Sequence, residues 1–299
     1  MARPVLLVVN RRKQRVLEAL DAVREVINRY SSIAMEIEAN GAPVPDTKNA
    51  ELIMVLGGDG TLLAQARRFA HTGLPLVGVN LGHLGYLTGF DLDTLGVHAK
   101  AMLTSKRLET HQRMLMRAEI KRGGKTVFSS AAMNDVVITA GPPYRMIEIG
   151  LRIADTDVRV IRGDGVVVAT PIGSTAYNVS AGGPIVSPEL EAMIVTAIAA
   201  HSLSFRPIVV EAASGIELSV LRANLVKGCA PDDSEEDGRA GTTLVLDGQV
   251  MHPIIEGDTV SLRRHPQSVH LVKDPDDGYW DTLVAKMHWA APPGASHTS

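Results

Sequence analysis

The sequence has a single cysteine, Cys229, among its 299 residues. One thiol cannot form an intrachain disulfide, and a zinc site built on cysteines needs more than one. Long apolar runs are also missing. The longest, Ala192–Ala200, is too short to span a bilayer, and the run Val5–Val9 is too short for a signal-peptide core. We therefore expect a cytoplasmic protein that is neither secreted nor membrane-spanning.

A strong charge of either sign is absent as well. Lys and Arg total 30 and Asp and Glu total 33, which gives a net charge of −3. This balance provides no general attraction to nucleic acid or to an anionic membrane, so any phosphate binding must be local. The apolar and charged fractions are those of an ordinary globular protein, and the length allows about two domains.

The first third of the sequence alternates between strand and helix patterns. Short apolar runs typical of buried strands occur at Val5–Val9, Leu52–Leu56 and Leu76–Val79. Between them, apolar residues recur at helical spacing. Alternating strands and helices predict a parallel sheet covered by helices. We therefore expect an α/β, Rossmann-like nucleotide-binding domain over residues 1–107.

After about residue 110, apolar residues recur at every second position, as they do from Ile147 to Ile153. This period is typical of antiparallel sheet. We predict a mainly antiparallel β domain over residues 108–289. In this prediction, the last segment of that range can pack in the first domain. The small-residue segment 290–299 is predicted to be a disordered tail.

Two further segments stand out within the β-rich region. Ser187 is a favourable N-cap and Pro188 suits the first helical position, so we predict a helix over Leu190–Ala200. The acidic segment Lys227–Gly241 is predicted to be a flexible loop, and cation binding is the alternative.

The sharpest local motif is Gly57-Gly58-Asp59-Gly60-Thr61, which lies between a predicted strand and a predicted helix. Glycines let the backbone approach a ligand closely, and the free N–H groups at a helix start suit a phosphate. Asp59 would repel phosphate unless it binds a metal or accepts a proton, and both roles belong to phosphoryl transfer. A plain strand-to-helix turn with an acidic cap is the alternative. Because no Walker-type lysine is evident, backbone N–H groups and a metal are expected to bind the phosphates.

A second motif runs from Arg162 to Pro184, around the apolar strand Val166–Ala169. Its many glycines and hydroxyl side chains can present donors to a ribose or a phosphate, and Tyr177 can pack on a base. We predict a binding loop; a pair of tight turns is the alternative. By themselves, Asn134-Asp135 and Asp247-Gly248-Gln249 indicate turns, and His201 is expected to be structural rather than a base.

In this order, the motifs resemble those of the NAD kinases along nearly the whole sequence. The stretch Thr170–Pro184 is highly specific, whereas Gly57–Thr61 is shared with a wider kinase superfamily. The other matching segments are Gly78–Gly82, Leu84–Thr88, Asn134-Asp135, His201–Pro207, Asp247–Gln249 and Met287–Trp289.

The resemblance implies transfer of the γ-phosphoryl group of ATP, or of a phosphoryl group of polyphosphate, to the 2′-hydroxyl of the adenosine ribose of NAD. It also implies that the β-rich domain binds NAD, that a divalent metal ion, usually Mg²⁺, is needed, and that the chain forms a homodimer or homotetramer. Asp59 would be the catalytic proton acceptor, and no residue is assigned as a metal ligand. The residues implied to contact nucleotide or dinucleotide are Gly57, Gly58, Asp59, Gly60, Asn80, Asn134, Asp135, Arg145, Arg162, Asp164, Thr175, Ala176, Tyr177, Asn178, Val179, Ser180 and Gln249.

The sequence departs from the family pattern at four places. Ala199-Ala200 precede His201 where the family often has Cys-Pro, and Lys227–Gly241 resembles an insertion before Asp247-Gly248-Gln249. Asp135 stands where the family usually has Glu, and Asn178 stands where Ser is usual. Two alternatives to an NAD kinase remain open. A lipid kinase of the diacylglycerol kinase type shares the Gly-Gly-Asp-Gly motif but needs a membrane-docking face. A non-catalytic NAD(P)-binding regulator would be expected to have lost Asp59.

Overall fold

The computed structural model of the chain describes residues 2–82, 85–225, 241–276, 278–287 and 289. The chain forms two compact units. Unit 1 comprises Met1–His111 and His270–Ser299, and unit 2 comprises Gln112–Val269. Unit 1 is therefore built from two separate stretches of the chain.

Strands outnumber helices along the chain. The strands are β1 (Val5–Val9), β2 (Ile33–Glu38), β3 (Leu52–Leu56), β4 (Leu76–Val79), β5 (Thr110–Arg122), β6 (Lys125–Ala132), β7 (Asp135–Thr139), β8 (Ile147–Ile153), β9 (Thr156–Gly163), β10 (Gly165–Ala169), β11 (Ala192–Ile198), β12 (Ile208–Glu211), β13 (Ile216–Arg222), β14 (Thr243–Leu246), β15 (Val250–Pro253) and β16 (Thr259–Val272). The helices are α1 (Gln14–Tyr30), α2 (Asp59–Phe69), α3 (Leu92–Thr104), α4 (Tyr177–Ser180) and α5 (Tyr279–Met287).

Unit 1 contains a parallel sheet in the order β2-β1-β3-β4. Strands β1, β3 and β4 are buried throughout, because helices cover the sheet and the strand sequences are continuously apolar. The end of β16 joins this sheet in parallel, with Leu271 paired to Leu76. Helix α1 buries its predicted apolar stripe, which consists of Val16, Leu20, Val23 and Ile27.

Unit 2 is built from antiparallel strands. One sheet has the order β12-β11-β10-β7-β14-β15. The other contains β13 between β8 and the first part of β16, with β9 beyond β8 and the hairpin β5–β6 beside β16. Apolar side chains from the two sheets form one core, to which Val168 and Val195 belong on one side and Ile149 and Leu218 on the other. The predicted fold class, α/β followed by mainly antiparallel β, is confirmed.

The predicted helix over Leu190–Ala200 is wrong, because this segment contains strand β11, in the interior of the six-stranded sheet. Six of its seven residues are buried. A strand buried on both faces and a buried helix both appear as an uninterrupted apolar run, so periodicity does not separate them. The β-branched Ile194, Val195, Thr196 and Ile198 were the signal that favours a strand.

Several predictions lie outside the described residues. They concern the acidic loop Lys227–Gly241, except Gly241 itself, and the tail 290–299. Among the residues that are described, no helix is both long enough and apolar enough to cross a membrane.

A buried ion pair in unit 2 connects the end of β5 to the residue that precedes β16. The guanidinium of Arg122 donates two hydrogen bonds of 2.8 Å to the carboxylate of Asp258. The Asp258 side chain is fully buried, and one of its oxygens also accepts a bond from the Ile255 backbone N–H. A carboxylate in this environment depends on its partner, since removing the cation leaves an uncompensated buried charge.

We predict that Arg122→Ala lowers the free energy of unfolding by about 3 kcal/mol, because it leaves the buried Asp258 carboxylate without its cationic partner. The matched control is Arg152→Ala, which breaks a solvent-exposed pair with Asp157 and is expected to cost less than about 1 kcal/mol. Urea denaturation of both variants measures the difference. Equal losses would mean that burial of Asp258 does not determine the strength of its pair.

Candidate functional site

In unit 1, the glycine-rich motif connects the end of β3 to the start of α2. Gly58 is the N-cap residue and Asp59 is the first residue of the helix. A Cβ built on Gly57 would lie 2.6 Å from the side chain of Thr61, so only glycine fits there. The Thr61 hydroxyl accepts a hydrogen bond of 2.9 Å from the side chain of Asn10, which follows β1. The Gly57 backbone N–H donates to the carbonyl oxygen of Val79 in β4 at 3.0 Å, so the motif is held from both strands that flank β3.

The carboxylate of Asp59 holds the segment that follows β4. It accepts backbone hydrogen bonds from Tyr86 (2.7 Å), Leu87 (3.2 Å) and Thr88 (3.1 Å), and a further bond of 2.9 Å from the Thr88 hydroxyl. Three of these bonds go to Oδ1 and one to Oδ2. Asp59 therefore acts as an anchor for residues 86–88 in this conformation.

Gly85 directly precedes the segment 86–88 and passes close to the Asp59 carboxylate. A Cβ on Gly85 would lie only 1.8 Å from Oδ1 of Asp59, which means that the carboxylate occupies the space left by the missing side chain. Lys286 of α5 donates to the carbonyl oxygen of Gly85, and its ammonium lies 5.0 Å from the centre of the Tyr86 ring. Helix α5, from the second stretch of unit 1, therefore contacts the segment that Asp59 holds.

Gly57, Gly58 and Asp59 line a cavity of about 520 Å³, together with Gly85 and residues after β4. Asn80 is among them, and its side-chain oxygen accepts a bond of 3.2 Å from the Gly82 backbone N–H. The structure adds two cations to the predicted set, because Lys13 and Arg15 also line this cavity. The sequence analysis missed them; the signal was a basic cluster directly after a buried strand.

In unit 2, the motif Asp247-Gly248-Gln249 forms the hairpin turn between β14 and β15. Asp247 and Gly248 have φ values of 50° and 66°, which match a type I′ turn. The carboxylate of Asp247 also accepts backbone N–H bonds from Met133, Asn134 and Asp135, the shortest being 2.7 Å from Asn134. The turn thus holds the start of β7 in place. Asp247 is a positioning residue that sequence reasoning did not identify.

Asn134 and Asp135 differ in their surroundings. The side-chain oxygen of Asn134 is buried and has no hydrogen-bond partner among the described residues. Asp135 is 5% exposed. Burial, assisted by the nearby Asp247 carboxylate, raises the pKa of Asp135 to about 7, although a hydrogen bond from the Tyr177 backbone N–H opposes the shift. Asp135 therefore changes its charge near neutral pH.

The loop after β10 packs directly on the Asn134 segment. The Thr170 hydroxyl donates to the Met133 carbonyl oxygen at 2.6 Å, and the Thr170 backbone N–H donates to that of Asn134 at 2.8 Å. A Cβ on Gly173 would lie 2.0 Å from the Asn134 carbonyl oxygen. The predicted binding loop and the Asn134-Asp135 motif therefore form one connected group.

Asn178 supports this loop from inside. Its side chain is fully buried and donates to the carbonyl oxygens of Ser174 and Pro184, while its own oxygen accepts a bond from Thr196. These three bonds engage both the NH₂ group and the oxygen of the Asn178 amide. We therefore amend the prediction for Asn178: its side chain stabilises the loop, and any ligand contact there falls to the backbone.

The remaining predicted residues of unit 2 differ in exposure. Tyr177 is 47% exposed, and the Arg162 side chain is 60% exposed, with its Nε 3.4 Å from Glu148. Those that are exposed are Arg145, Asp164, Ser180 and Gln249, and those that are partly buried are Thr175, Ala176 and Val179. His201 is exposed as well. The individual roles of these residues stay predictions.

One group of side chains in the described part of unit 1 has spacing suitable for a metal ion. It consists of His98, Asp274 and Asp276, whose ligand atoms lie within 4.8 Å of one another. None of the three lines the cavity at Gly57–Asp59. His98 Nε2 already bonds Asp276 at 2.7 Å. This group is therefore a hydrogen-bonded cluster with one exposed member, Asp276, and it contributes nothing to the lining of that cavity.

Comparison with protein families gives two matches that together cover most of the chain. Residues 10–107 match the family described as the ATP-NAD kinase N-terminal domain, and residues 133–274 match the ATP-NAD kinase C-terminal domain. A curated NAD kinase of Desulforamulus reducens is 37% identical over 294 residues, which is 94% of this chain and 96% of the relative. One of Acidobacterium capsulatum is 36% identical over 267 residues, or 89% and 87% of the two chains.

Solved structures show the same fold. Yeast NADH kinase in complex with NADH matches with a TM-score of 0.80 and 22% identity, over 99% of this chain and 91% of that one. An NAD kinase from Archaeoglobus fulgidus in complex with ATP matches with a TM-score of 0.72 and 24% identity, over 95% and 98%.

We predict that Gly85→Ala loosens the segment held by Asp59, because its Cβ collides with the carboxylate. The free energy of unfolding should fall by about 1–3 kcal/mol, as for other overpacked sites. Amide hydrogen exchange at Tyr86, Leu87 and Thr88 should become faster. Gly41→Ala is the control, since a Cβ there meets nothing within 4 Å. Unchanged exchange at the three amides would contradict the contact.

A second prediction concerns pH. The pKa of Asp135 is about 7 in the folded chain and ordinarily about 4 in an unfolded one. The native state therefore holds this proton more tightly, and its contribution to stability is lost as the pH rises from about 4 to about 7. In Asp135→Asn, this component of the pH dependence should disappear. Urea denaturation at several pH values, with exposed Asp164→Asn as the control, measures it. Identical pH profiles for Asp135→Asn and the parent chain would refute the shift.

Proposed function

The chain belongs to the NAD kinase family, and from this premise we propose that it transfers the γ-phosphoryl group of ATP to the 2′-hydroxyl of the adenosine ribose of NAD, giving NADP. The observation that carries the proposal is the position of Asp59. It begins the helix after Gly57-Gly58 and lines a cavity whose walls are otherwise glycine backbone, neutral side chains and cations. Such a wall suits an anionic donor and offers one carboxylate for the reacting hydroxyl.

The proposed reaction is a single displacement at phosphorus. The 2′-oxygen of the ribose forms a bond to the γ-phosphorus, while the bond from that phosphorus to the oxygen bridging to the β-phosphate breaks. The hydroxyl proton passes to the carboxylate of Asp59 and then to solvent. The products are NADP and ADP. Positioning and charge stabilisation dominate in such reactions, because the transition state needs little covalent assistance.

The hydrogen bonds of Asp59 favour a role that is at least partly positional. Donors from residues 86–88 already use Oδ1 three times, whereas Oδ2 accepts only the Tyr86 bond from this segment. Oδ2 therefore has the freer lone pair, and we assign the contact with the hydroxyl to this atom. The same carboxylate fixes residues 86–88, so a substitution at Asp59 acts on both the hydroxyl and the loop.

The NAD site is assigned to unit 2. The buried oxygen of Asn134 lacks a partner among the described residues, and it is an acceptor suited to a ribose hydroxyl. Asp135 lies next to it and holds the Tyr177 backbone, so the two residues connect ribose recognition to the loop that begins at Thr170. Tyr177 is exposed enough to stack on a base. These assignments follow the family resemblance residue by residue.

The residues around the glycine-rich motif fit poorly with a resident metal. Asp59 is the one carboxylate that the described residues place on the cavity lining, and both its oxygens accept bonds from residues 86–88. Mg²⁺ is often bound chiefly by substrate phosphates and water. We therefore propose that Mg²⁺ enters as part of the donor complex and is not held by a protein cage.

Other aspects of the proposal come from the resemblance, with limited support from the chain itself. A homodimer or homotetramer is expected, and the exposed Leu203 in the segment His201–Pro207 offers an apolar contact for a second copy. The single cysteine fits a reducing, cytoplasmic setting. The lipid-kinase and regulator alternatives are not favoured, since the curated relatives are NAD kinases and Asp59 is in place.

We predict that purified protein converts NAD to NADP in the presence of ATP and Mg²⁺, detected with an NADP-specific dehydrogenase. Asp59→Asn should lower turnover by about a hundredfold or more, within the range for loss of a general base. Thr88→Val removes one donor to the carboxylate without removing the carboxylate, so its effect should be much smaller. Asp46→Asn, at an exposed site, is the control.

The outcomes separate the possibilities. Near-normal turnover in Asp59→Asn would exclude Asp59 as the proton acceptor. If Thr88→Val were as slow as Asp59→Asn, the main role of Asp59 would be to hold the loop. If NADP formed with polyphosphate but not with ATP, the donor assignment would change. If neither donor supported the reaction, the proposed function would be wrong.

A further inference from the structure

Two basic side chains line the cavity at Gly57–Asp59, and the reaction proposed above assigns no role to either of them. Lys13 is the N-cap residue of α1, and Arg15 lies in the first turn of that helix. Both are exposed, and neither makes an ion pair or a side-chain hydrogen bond with any residue that the structure describes. Neighbouring Arg11, by contrast, pairs with Glu36 at 2.5 Å.

The position of Lys13 is specific. Its ammonium nitrogen lies 3.0 Å from the point that a Cβ of Gly58 would occupy. The ammonium therefore lies beside the N-cap of α2, in space that exists because residue 58 has no side chain. The backbone of Lys13 is held at the end of β1, since its N–H donates to the carbonyl oxygen of Asn10 at 3.1 Å. Arg15 approaches the same cavity from the first turn of α1, with Nη1 3.5 Å from the Cβ position of Gly82.

This arrangement places like charges together. A helix N-terminus carries a partial positive charge from its free N–H groups, and Lys13 adds a full positive charge beside it. The carboxylate of Asp59 offsets part of this charge from the first residue of α2, but its bonds go to residues 86–88 and it forms no ion pair with Lys13. An anion at this point would interact favourably with the ammonium, the guanidinium and the helix start at once.

The adjoining surface has the opposite character. A second cavity of about 550 Å³ shares Arg15 with the first but is also lined by Glu18, Asp91 and Asp93. Hydrogen bonds from the backbone and side chain of Thr94 lower the pKa of Asp91, which keeps it charged at neutral pH. These carboxylates repel phosphate, so the phosphates of a ligand are confined to the cavity that contains Lys13.

We propose that Lys13 and Arg15 bind the phosphoanhydride chain of the phosphoryl donor, whether that donor is ATP or inorganic polyphosphate. This inference rests on the proposed function and adds two donor-binding residues to it. It also replaces the expectation that backbone N–H groups and a metal ion alone bind the phosphates. Lys13 acts as a point charge, and Arg15 offers a fork of N–H donors.

The test is steady-state kinetics of Lys13→Gln, with the Michaelis constants for ATP, for polyphosphate and for NAD measured separately. The constants for ATP and for polyphosphate should rise by about tenfold or more, as expected for loss of a hydrogen bond to a charged group. The constant for NAD should stay unchanged, and Lys13→Arg should restore most of the donor affinity. Arg15→Gln should have an effect in the same direction.

Arg12→Gln is the matched control, because it removes one charge from the neighbouring residue without touching the cavity lining. Added KCl should raise the constant for ATP more steeply in the parent chain than in Lys13→Gln, since salt screens the lost interaction. Lys13 makes no side-chain cap bond, so the variant should fold normally; its thermal midpoint checks this.

Three outcomes would overturn the inference. Donor constants in Lys13→Gln that equal those of Arg12→Gln would show that the ammonium does not touch the donor. A parallel rise for NAD would indicate a general structural effect. A rise for ATP without one for polyphosphate would show that the phosphoanhydride chain is not what Lys13 recognises.

Failure of the proposed function would leave the cation site testable. If the parent chain forms no NADP, titration calorimetry with MgADP and with inorganic tripolyphosphate still tests whether Lys13 binds the phosphate chain. Binding to Lys13→Gln that is tenfold weaker than to the parent chain supports the cation site although the proposed function fails, and equal binding rejects both.

Discussion

In each unit, three consecutive backbone N–H groups donate to a single carboxylate: those of residues 86–88 to Asp59, and those of residues 133–135 to Asp247. Backbone donors left unpaired away from water cost free energy. A carboxylate is an effective partner, because it accepts several bonds and each is strengthened by its charge. A segment beside the proposed donor site and a segment of the proposed NAD site are thus held by the same kind of contact.

These contacts are possible because glycine stands where the chain must pass closely. Neither Gly85 nor Gly173 has a positive φ, so left-handed backbone does not explain either of them. A Cβ on Gly85 would collide with the Asp59 carboxylate, and a Cβ on Gly173 would collide with the carbonyl oxygen of Asn134. The glycines of the motifs act at these two positions by being small.

The sequence predicted three strands of unit 1 well, because Val5–Val9, Leu52–Leu56 and Leu76–Val79 are bounded apolar runs whose limits the structure reproduces. It did not predict β2, whose residues are only partly buried or exposed. It failed at β11, where burial on both faces removes the periodicity that separates strand from helix. It also failed to find Lys13, since the proximity of this residue to Gly58 arises only when β1 and β3 pair. The double use of Asp247, as turn residue and as acceptor, depends equally on contacts between segments over a hundred residues apart. Local patterns contain no information on such contacts.

The discontinuity of unit 1 has a consequence for synthesis on the ribosome. Leu76 of β4 cannot pair with Leu271 until all of unit 2 has been translated. At ordinary elongation rates, the intervening unit 2 takes roughly ten to thirty seconds to emerge. During that interval, β4 is an open sheet edge, the kind of surface on which nascent chains aggregate or recruit chaperones. Unit 2 consists of one uninterrupted stretch and can complete its folding first. The order in which the two units mature is therefore the reverse of the order in which their first residues are made.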